Sequence, residues 1–340
     1  MSGRSRAPLG GVGAALVIAL ALACTEPLPK SRVDAGFRGP GRLVVIFEPA
    51  DPEAPRLLVV HDANGAREMP VPNARAARWL SERELLVSQE AAPNEPYGLP
   101  LTQLLRVDAD TGRATPLGAP GRYFDAEPDP RGERFAVGLE VDDQGESDLL
   151  ILSLADPAAK PLAGRSQPLD RPRWSPGGAD LVVLQTLPDP DGEDSETGLS
   201  FGGQAVSWPR LFRIPSDLRG KLEILADGEP GKPLAAGGSL PLFWDARGIY
   251  ARQRRGLVRC DPAGTGCTFV WSPGGKKRVF GARPAGLEGA LVLVRDHALK
   301  SDLDLPRELH AVRLDTGASE LLYTTPPELY LAEIDWVNTP

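Results

Sequence analysis

The chain has 340 residues, with 46 acidic against 38 basic side chains, so its formal net charge is −8. An acidic balance with no basic stripe excludes a nucleic-acid partner, whose phosphates need Lys and Arg to displace their counterions, and excludes a polybasic grip on anionic lipid headgroups. Length alone admits one large domain or two, and internal repetition decides between them.

At the N-terminus Arg4 and Arg6 precede an apolar run, Leu9 to Ala23, broken only by glycines. The run is about fifteen residues, short of the roughly 20 that cross a bilayer as a helix, and Glu26, Pro27 and Pro29 follow at once. A signal peptide over residues 1–23 is the expectation. Ala21-Leu22-Ala23-Cys24 resembles the lipobox of bacterial lipoproteins, whose cysteine takes a diacylglyceryl group before cleavage. The third position before the cysteine is usually Leu and is Ala21 here, so the same residues also read as an Ala-x-Ala site of plain secretion. Residues 24–40 then form a lipidated tether and 41–340 a folded domain. Cleavage ahead of Cys24 removes two arginines and no acid, which takes the charge to −10. Thr25 follows Cys24, and by resemblance to other lipoproteins this implies the outer membrane.

From residue 41 onward one unit recurs: an apolar strand, a turn built on Asp, Asn or Gly, and a second short strand. Its copies are Leu57 to Val71, Leu104 to Leu117, Leu149 to Leu162, Leu211 to Leu225, Leu257 to Val270 and Leu309 to Tyr323. Asp and Asn tolerate turn geometry and Gly accepts positive φ, so these are hairpins with a mechanism. A second motif precedes most of them: an aromatic strand, a Pro or Gly turn, then a run of Val, Leu and Ile. Trp174-Ser175-Pro176-Gly177-Gly178 is its clearest copy; others run over Trp79 to Ser88, Glu127 to Leu139, Trp244 to Ala251 and Phe280 to Val294. Apart from one stretched interval, the hairpins recur about every 45 to 52 residues, the spacing of four-stranded propeller blades.

These motifs resemble the TolB-like, WD40-like repeats of bacterial envelope proteins, most closely at Trp174 to Gly178. The resemblance implies an all-β, six-bladed β-propeller over residues 41–340. Prolyl oligopeptidases carry similar propellers, but only about seventeen residues follow the last hairpin. The first blade lacks an inner strand before residue 41, and Leu329 to Trp336 is expected to supply it and close the ring. Trp271-Ser272-Pro273-Gly274-Gly275 copies the inner-strand motif at the end of the fifth hairpin, and a blade starting there makes seven.

Blade order puts the insertions Glu90 to Gln103, Thr186 to Arg210 and Asp296 to Glu308 on one face, which becomes the candidate binding surface. The longest holds Asp189, Asp191, Glu193, Asp194 and Trp208. Its carboxylates are a poor match to a Ca2+ loop and fit a solvated acidic segment better. Cys260 and Cys267 flank a turn-forming stretch, and in an oxidising compartment a short-loop disulfide is expected; the alternative is two unpaired, half-buried thiols. C-x6-C gives only two metal ligands. His61 and His310 fall in hairpin strands and His297 opens a loop, while no H-E-x-x-H and no phosphate loop occurs. Trp79, Trp174, Trp244 and Trp336 recur at equivalent positions and read as blade-core packing.

The expectation is therefore a monomeric, lipid-anchored propeller with no cofactor, metal or catalytic residue, binding an envelope protein or a peptidoglycan-associated partner. The alternative is a metal-dependent propeller hydrolase or lactonase, which needs three or four Asp, Glu, Asn or His side chains converging in the central channel.

Overall fold

The computed structural model describes Ser31 and residues 41–91, 100–141, 147–157, 160–166, 169–188, 207–226, 240–253, 256–262, 266–285, 288–296 and 306–337. They form six four-stranded antiparallel sheets. In chain order the strands are β1 (Arg42–Pro49), β2 (Leu57–Asp62) and β3 (Gly65–Met69); β4 (Ala74–Trp79), β5 (Glu84–Glu90), β6 (Thr102–Asp108) and β7 (Ala114–Pro116); and β8 (Tyr123–Pro128), β9 (Arg134–Glu140), β10 (Ser147–Ser153) and β11 (Ala163–Ser166). The second half holds β12 (Leu169–Trp174), β13 (Asp180–Pro188), β14 (Ser207–Pro215) and β15 (Glu223–Ala226); β16 (Leu240–Asp245), β17 (Gly248–Gln253), β18 (Gly256–Cys260) and β19 (Cys267–Trp271); β20 (Lys277–Ala285), β21 (Gly289–Asp296), β22 (Glu308–Arg313) and β23 (Ser319–Thr324); and β24 (Leu329–Val337). The last strand joins the first three in the order β24-β1-β2-β3, with Leu43 opposite Trp336 and Val45 opposite Ile334. The ring is a six-bladed propeller closed by its C-terminal strand.

Each second strand is apolar on both faces because each face meets a different blade. In β5, Leu85 and Val87 pack toward the first blade while Leu86 packs toward the third, as the two-residue period of a strand requires. The core is accordingly divided into six clusters, each lying between two neighbouring blades. The turn after each inner strand follows from its residues. Gly178 takes φ 70°, its N–H donates to the Ser175 carbonyl at 2.9 Å, and the Ser175 hydroxyl accepts from the Asp180 N–H at 3.0 Å. Asp129-Pro130-Arg131-Gly132 repeats the device, with Gly132 at φ 66° and the Asp129 carboxylate accepting from the Glu133 N–H at 2.9 Å.

A seventh blade does not form. Trp271 ends the outermost strand of the fifth blade, opposite Leu257, and Gly274 and Gly275, both at positive φ, turn the chain directly into β20.

Candidate binding site at the channel mouth

The inner strands β24, β4, β8, β12, β16 and β20 surround the axis. Each carries an extra residue against its neighbour: Arg75, Leu242, Phe280 and Ala332 in four, and the Asp125-Ala126 and Arg171-Pro172 pairs set against one residue in β8 and β12. Asp125 and Arg171 reach φ of 51° and 50° there. A bulge re-aims the side chains that follow it.

Beyond the bulges, one residue per inner strand occupies the same register. Asp335 lies opposite Val44, Arg78 opposite Leu86, Glu127 opposite Ala136, Arg173 opposite Val182, Phe243 opposite Tyr250 and Arg283 opposite Leu291. Around the ring the order is Asp335, Arg78, Glu127, Arg173, Phe243, Arg283. Charge alternates at every step except at Phe243.

Glu127 is the hub of this layer. It accepts from Arg283 Nη1 at 2.9 Å and Nη2 at 3.1 Å, from Arg78 Nε at 3.1 Å and from Arg173 Nη1 at 3.2 Å. Blades three and six face each other across the axis, so the bidentate Glu127–Arg283 pair spans the channel as a plug. Glu333 accepts from Arg78 Nη2 at 3.1 Å, and the Asp335 carboxylate accepts from the Trp79 N–H at 2.7 Å. Three guanidiniums thus face three carboxylates, which is how buried charge is tolerated.

The titrations follow from that packing. Burial pushes the Glu127 carboxyl up, but the guanidiniums of Arg283, Arg173 and Arg78 outweigh it and bring the group to about 2. Burial likewise opposes, and Arg78 and Arg283 overcome, so that Glu333 is lowered. Asp335 is raised, burial exceeding the pull of Arg283 and Arg78. Arg173 falls to about 10, because burial outweighs what Glu127 returns to it.

On the short-turn side of the plug the channel opens into a cavity of about 310 Å3, walled by Trp79, Trp174, Trp244 and Trp336 with Phe243 and floored by the ion layer. The indoles are fixed across blade boundaries. Trp174 Nε1 donates to the Glu127 carbonyl at 2.9 Å and Trp79 Nε1 to the Asp335 carbonyl at 3.3 Å, while Arg134 and Arg42 lie over the two rings at 4.7 and 5.2 Å. These residues belong to the interblade clusters and also wall the mouth, so the packing reading describes only half of their role. The opposite, long-loop end of the channel differs. Burial and the nearby Asp125 push Asp170 up to about 6, and burial with Arg171, Arg295 and Arg278 brings Arg252 to about 10.

Of the residues singled out from sequence, Cys260 and Cys267 face each other in the β18–β19 hairpin and are bonded, S–S 2.04 Å. Trp208 is not in a loop: it belongs to β14, opposite Leu187, because the strands flanking that insertion extend further than their apolar cores. Cys24, His297, Asp189, Asp191, Glu193 and Asp194 lie outside the described residues. His310 accompanies Glu308 at 3.0 Å and the Trp271 ring at 5.5 Å, away from the channel, and His61 is buried in β2. The ion layer was missed. Its signal was present as the residue before each anchor: Arg78-Trp79, Glu127-Pro128, Arg173-Trp174, Phe243-Trp244, Arg283-Pro284 and Asp335-Trp336.

No protein-family model matches the chain, and no curated protein matches it. Solved structures do match. TolB from Acinetobacter baumannii superposes at TM-score 0.53 with 14% identity, covering 87% of this chain and 66% of that one. A protein from Agrobacterium tumefaciens reported as a TolB gives 0.55 with 13% identity, covering 88% of this chain and 100% of that one. The β-propeller domain of the trilobed protease from Pyrococcus furiosus, described as having an open velcro topology, gives 0.50 with 12% identity over 89% of this chain and 96% of that one. Identities this low speak for fold alone. In architecture the chain is a TolB-like six-bladed β-propeller.

Proposed function

We propose that this chain is an envelope protein, lipid-anchored through Cys24 at the outer membrane, whose propeller is a non-catalytic binding module holding its partner in the indole-walled mouth. The observation that carries the reading is the open concavity set on a fixed floor: a recess in which four indoles and Phe243 stand over charged groups already held by one another. An envelope protein or a peptidoglycan-associated one fits the compartment that the N-terminal segment implies.

Glu127, Glu333 and Asp335 converge on the channel, as the hydrolase alternative requires, but all three face guanidiniums. Positive charge at that range repels a metal ion. The binding reading is favoured for that reason.

A photo-crosslinking side chain in place of Trp244, compared with one in place of the exposed Leu321 of an outer strand, tests the site in intact envelopes. The same partner captured from Trp244 and not from Leu321 supports the mouth; equal capture from both, or none from either, removes its claim. Anchoring is tested separately. Cys24→Ala is expected to move the protein from the membrane pellet to the soluble fraction and to abolish incorporation of labelled fatty acid.

A further inference from the structure

We infer that the mouth recognises a carboxylate, seated over Phe243 between Arg173 and Arg283, where the charge alternation of the ion layer is broken. The inference rests on the binding reading of the mouth. Five of the six positions in the layer are charged, three positive and two negative, and Glu333, the third acid, does not line the cavity. With Glu333 beneath the cavity on Arg78, three carboxylates meet three guanidiniums, so the gap is local: no acid stands between Arg173 and Arg283 at Phe243.

The donors point to the same place. Arg78 spends Nε on Glu127, Nη1 on the Ala77 carbonyl and Nη2 on Glu333. Arg283 spends both Nη atoms on Glu127, and its Nε faces Asp335 at 3.9 Å. Arg173 gives Nε to the Leu242 carbonyl at 2.7 Å and Nη1 to Glu127 and the Pro172 carbonyl, but its Nη2 makes no hydrogen bond among the described residues. That side chain is only 7% exposed and lines the cavity beside Phe243. Nη2 is not among the fully buried donors without a partner, so it keeps contact with solvent and is available to a ligand.

The surroundings set the rest of the ligand. Phe243 stacks on Tyr250 with centroids 4.5 Å apart and planes at 13°, and Trp174 and Trp244 stand beside it. A carboxylate on an apolar body fits: the C-terminal residue of a peptide, or an Asp or Glu side chain among apolar neighbours.

The test uses the full chain in detergent and three probes: N-acetylphenylalanine, its amide, and N-acetyl-aspartyl-phenylalaninamide, followed by tryptophan fluorescence and ligand-observed NMR. The free acid is expected to bind at least about 10-fold more tightly than the amide, the scale of one hydrogen bond to a charged group. Phe243→Glu, which installs the missing carboxylate, is expected to erase that preference. Arg173→Lys, which keeps the charge and removes the fork, is expected to do the same and carries the test if the first variant does not fold. The aspartyl amide binding as well as the free acid assigns the carboxylate to a side chain; only the free acid binding assigns it to a chain terminus. Equal binding of acid and amide overturns the inference while leaving the mouth a binding site. No binding of any probe at millimolar concentration also overturns it, and the crosslinking comparison then judges the mouth on its own.

Discussion

Glu127 accepts from three guanidiniums at once, so its loss is felt by all of them. Glu127→Gln is expected to cost about 3 to 5 kcal/mol in denaturant unfolding, the range for removing one partner of a buried ion pair. Its titration has a sign. The folded group sits at about 2, below its ordinary value of 4.5, so the unfolded chain binds the extra proton. The stabilisation is complete above pH 4.5 and is lost as pH falls toward 2; a thermal midpoint that is flat over that interval in wild type contradicts the network. Asp170 has the opposite sign. Its folded value of about 6 exceeds the ordinary 3.8, so stability declines as pH rises between the two. Asp170→Asn is expected to raise the melting temperature at pH 8 and to have little effect at pH 4. The sequence held the positions, one before each anchor, but not their burial, because Arg78, Glu127 and Arg173 sit in strands where a charged residue ordinarily marks a solvent face. They face one another because the bulges turn them inward, and two of those bulges rest on Asp125 and Arg171 in a left-handed conformation that their identities do not announce.

At the scale of strands and turns the sequence was far more readable. Ser175 to Gly178 and Asp129 to Gly132 each place an oxygen acceptor first and a glycine fourth, and both form the turn those residues favour. What misled was an apolar or aromatic residue without its context: Trp271-Ser272-Pro273 copies an inner-strand end, yet Trp271 pairs with Leu257 in an outer hairpin. Strand ends were misjudged too, at Trp208, because polar residues continued a ladder whose apolar core had finished. The Cys260–Cys267 bridge closes a separation of 7 residues. A loop that small restrains the unfolded chain modestly, so Cys260→Ser with Cys267→Ser is expected to lower stability by about 2 kcal/mol. Equal denaturant midpoints for the oxidised protein and the double variant would set the bridge aside as a stabilising element.

At the scale of the whole molecule, the ring depends on one seam. β24 completes the first blade and also brings Glu333 and Asp335 to the ion layer, so closure and channel charge are set by the same strand. Gly41 sits at that seam: its φ is 99° and a Cβ there would lie 2.6 Å from the Trp336 ring. Stopping the chain after Glu328 is expected to expose the inner edge of β1 and strand Arg78 and Arg283 without two of their acids. Such a protein should elute as soluble aggregate in size-exclusion chromatography with light scattering, and a monodisperse monomer would show that the remaining strands hold the ring without the seam. Blade number and closure were recoverable from repeat spacing because a ring short of one inner strand must find it elsewhere in the chain.

The seam also fixes an order of events in time. The strand that β1 needs is almost the whole folded domain away along the chain, so the first blade to be synthesised is the last to be finished. As the chain is synthesised, the inner edge of β1 stays unpaired until the final strand is available. Ring closure is expected to be the slow phase of refolding, checked by stopped-flow tryptophan fluorescence of the full chain beside one ending at Glu328.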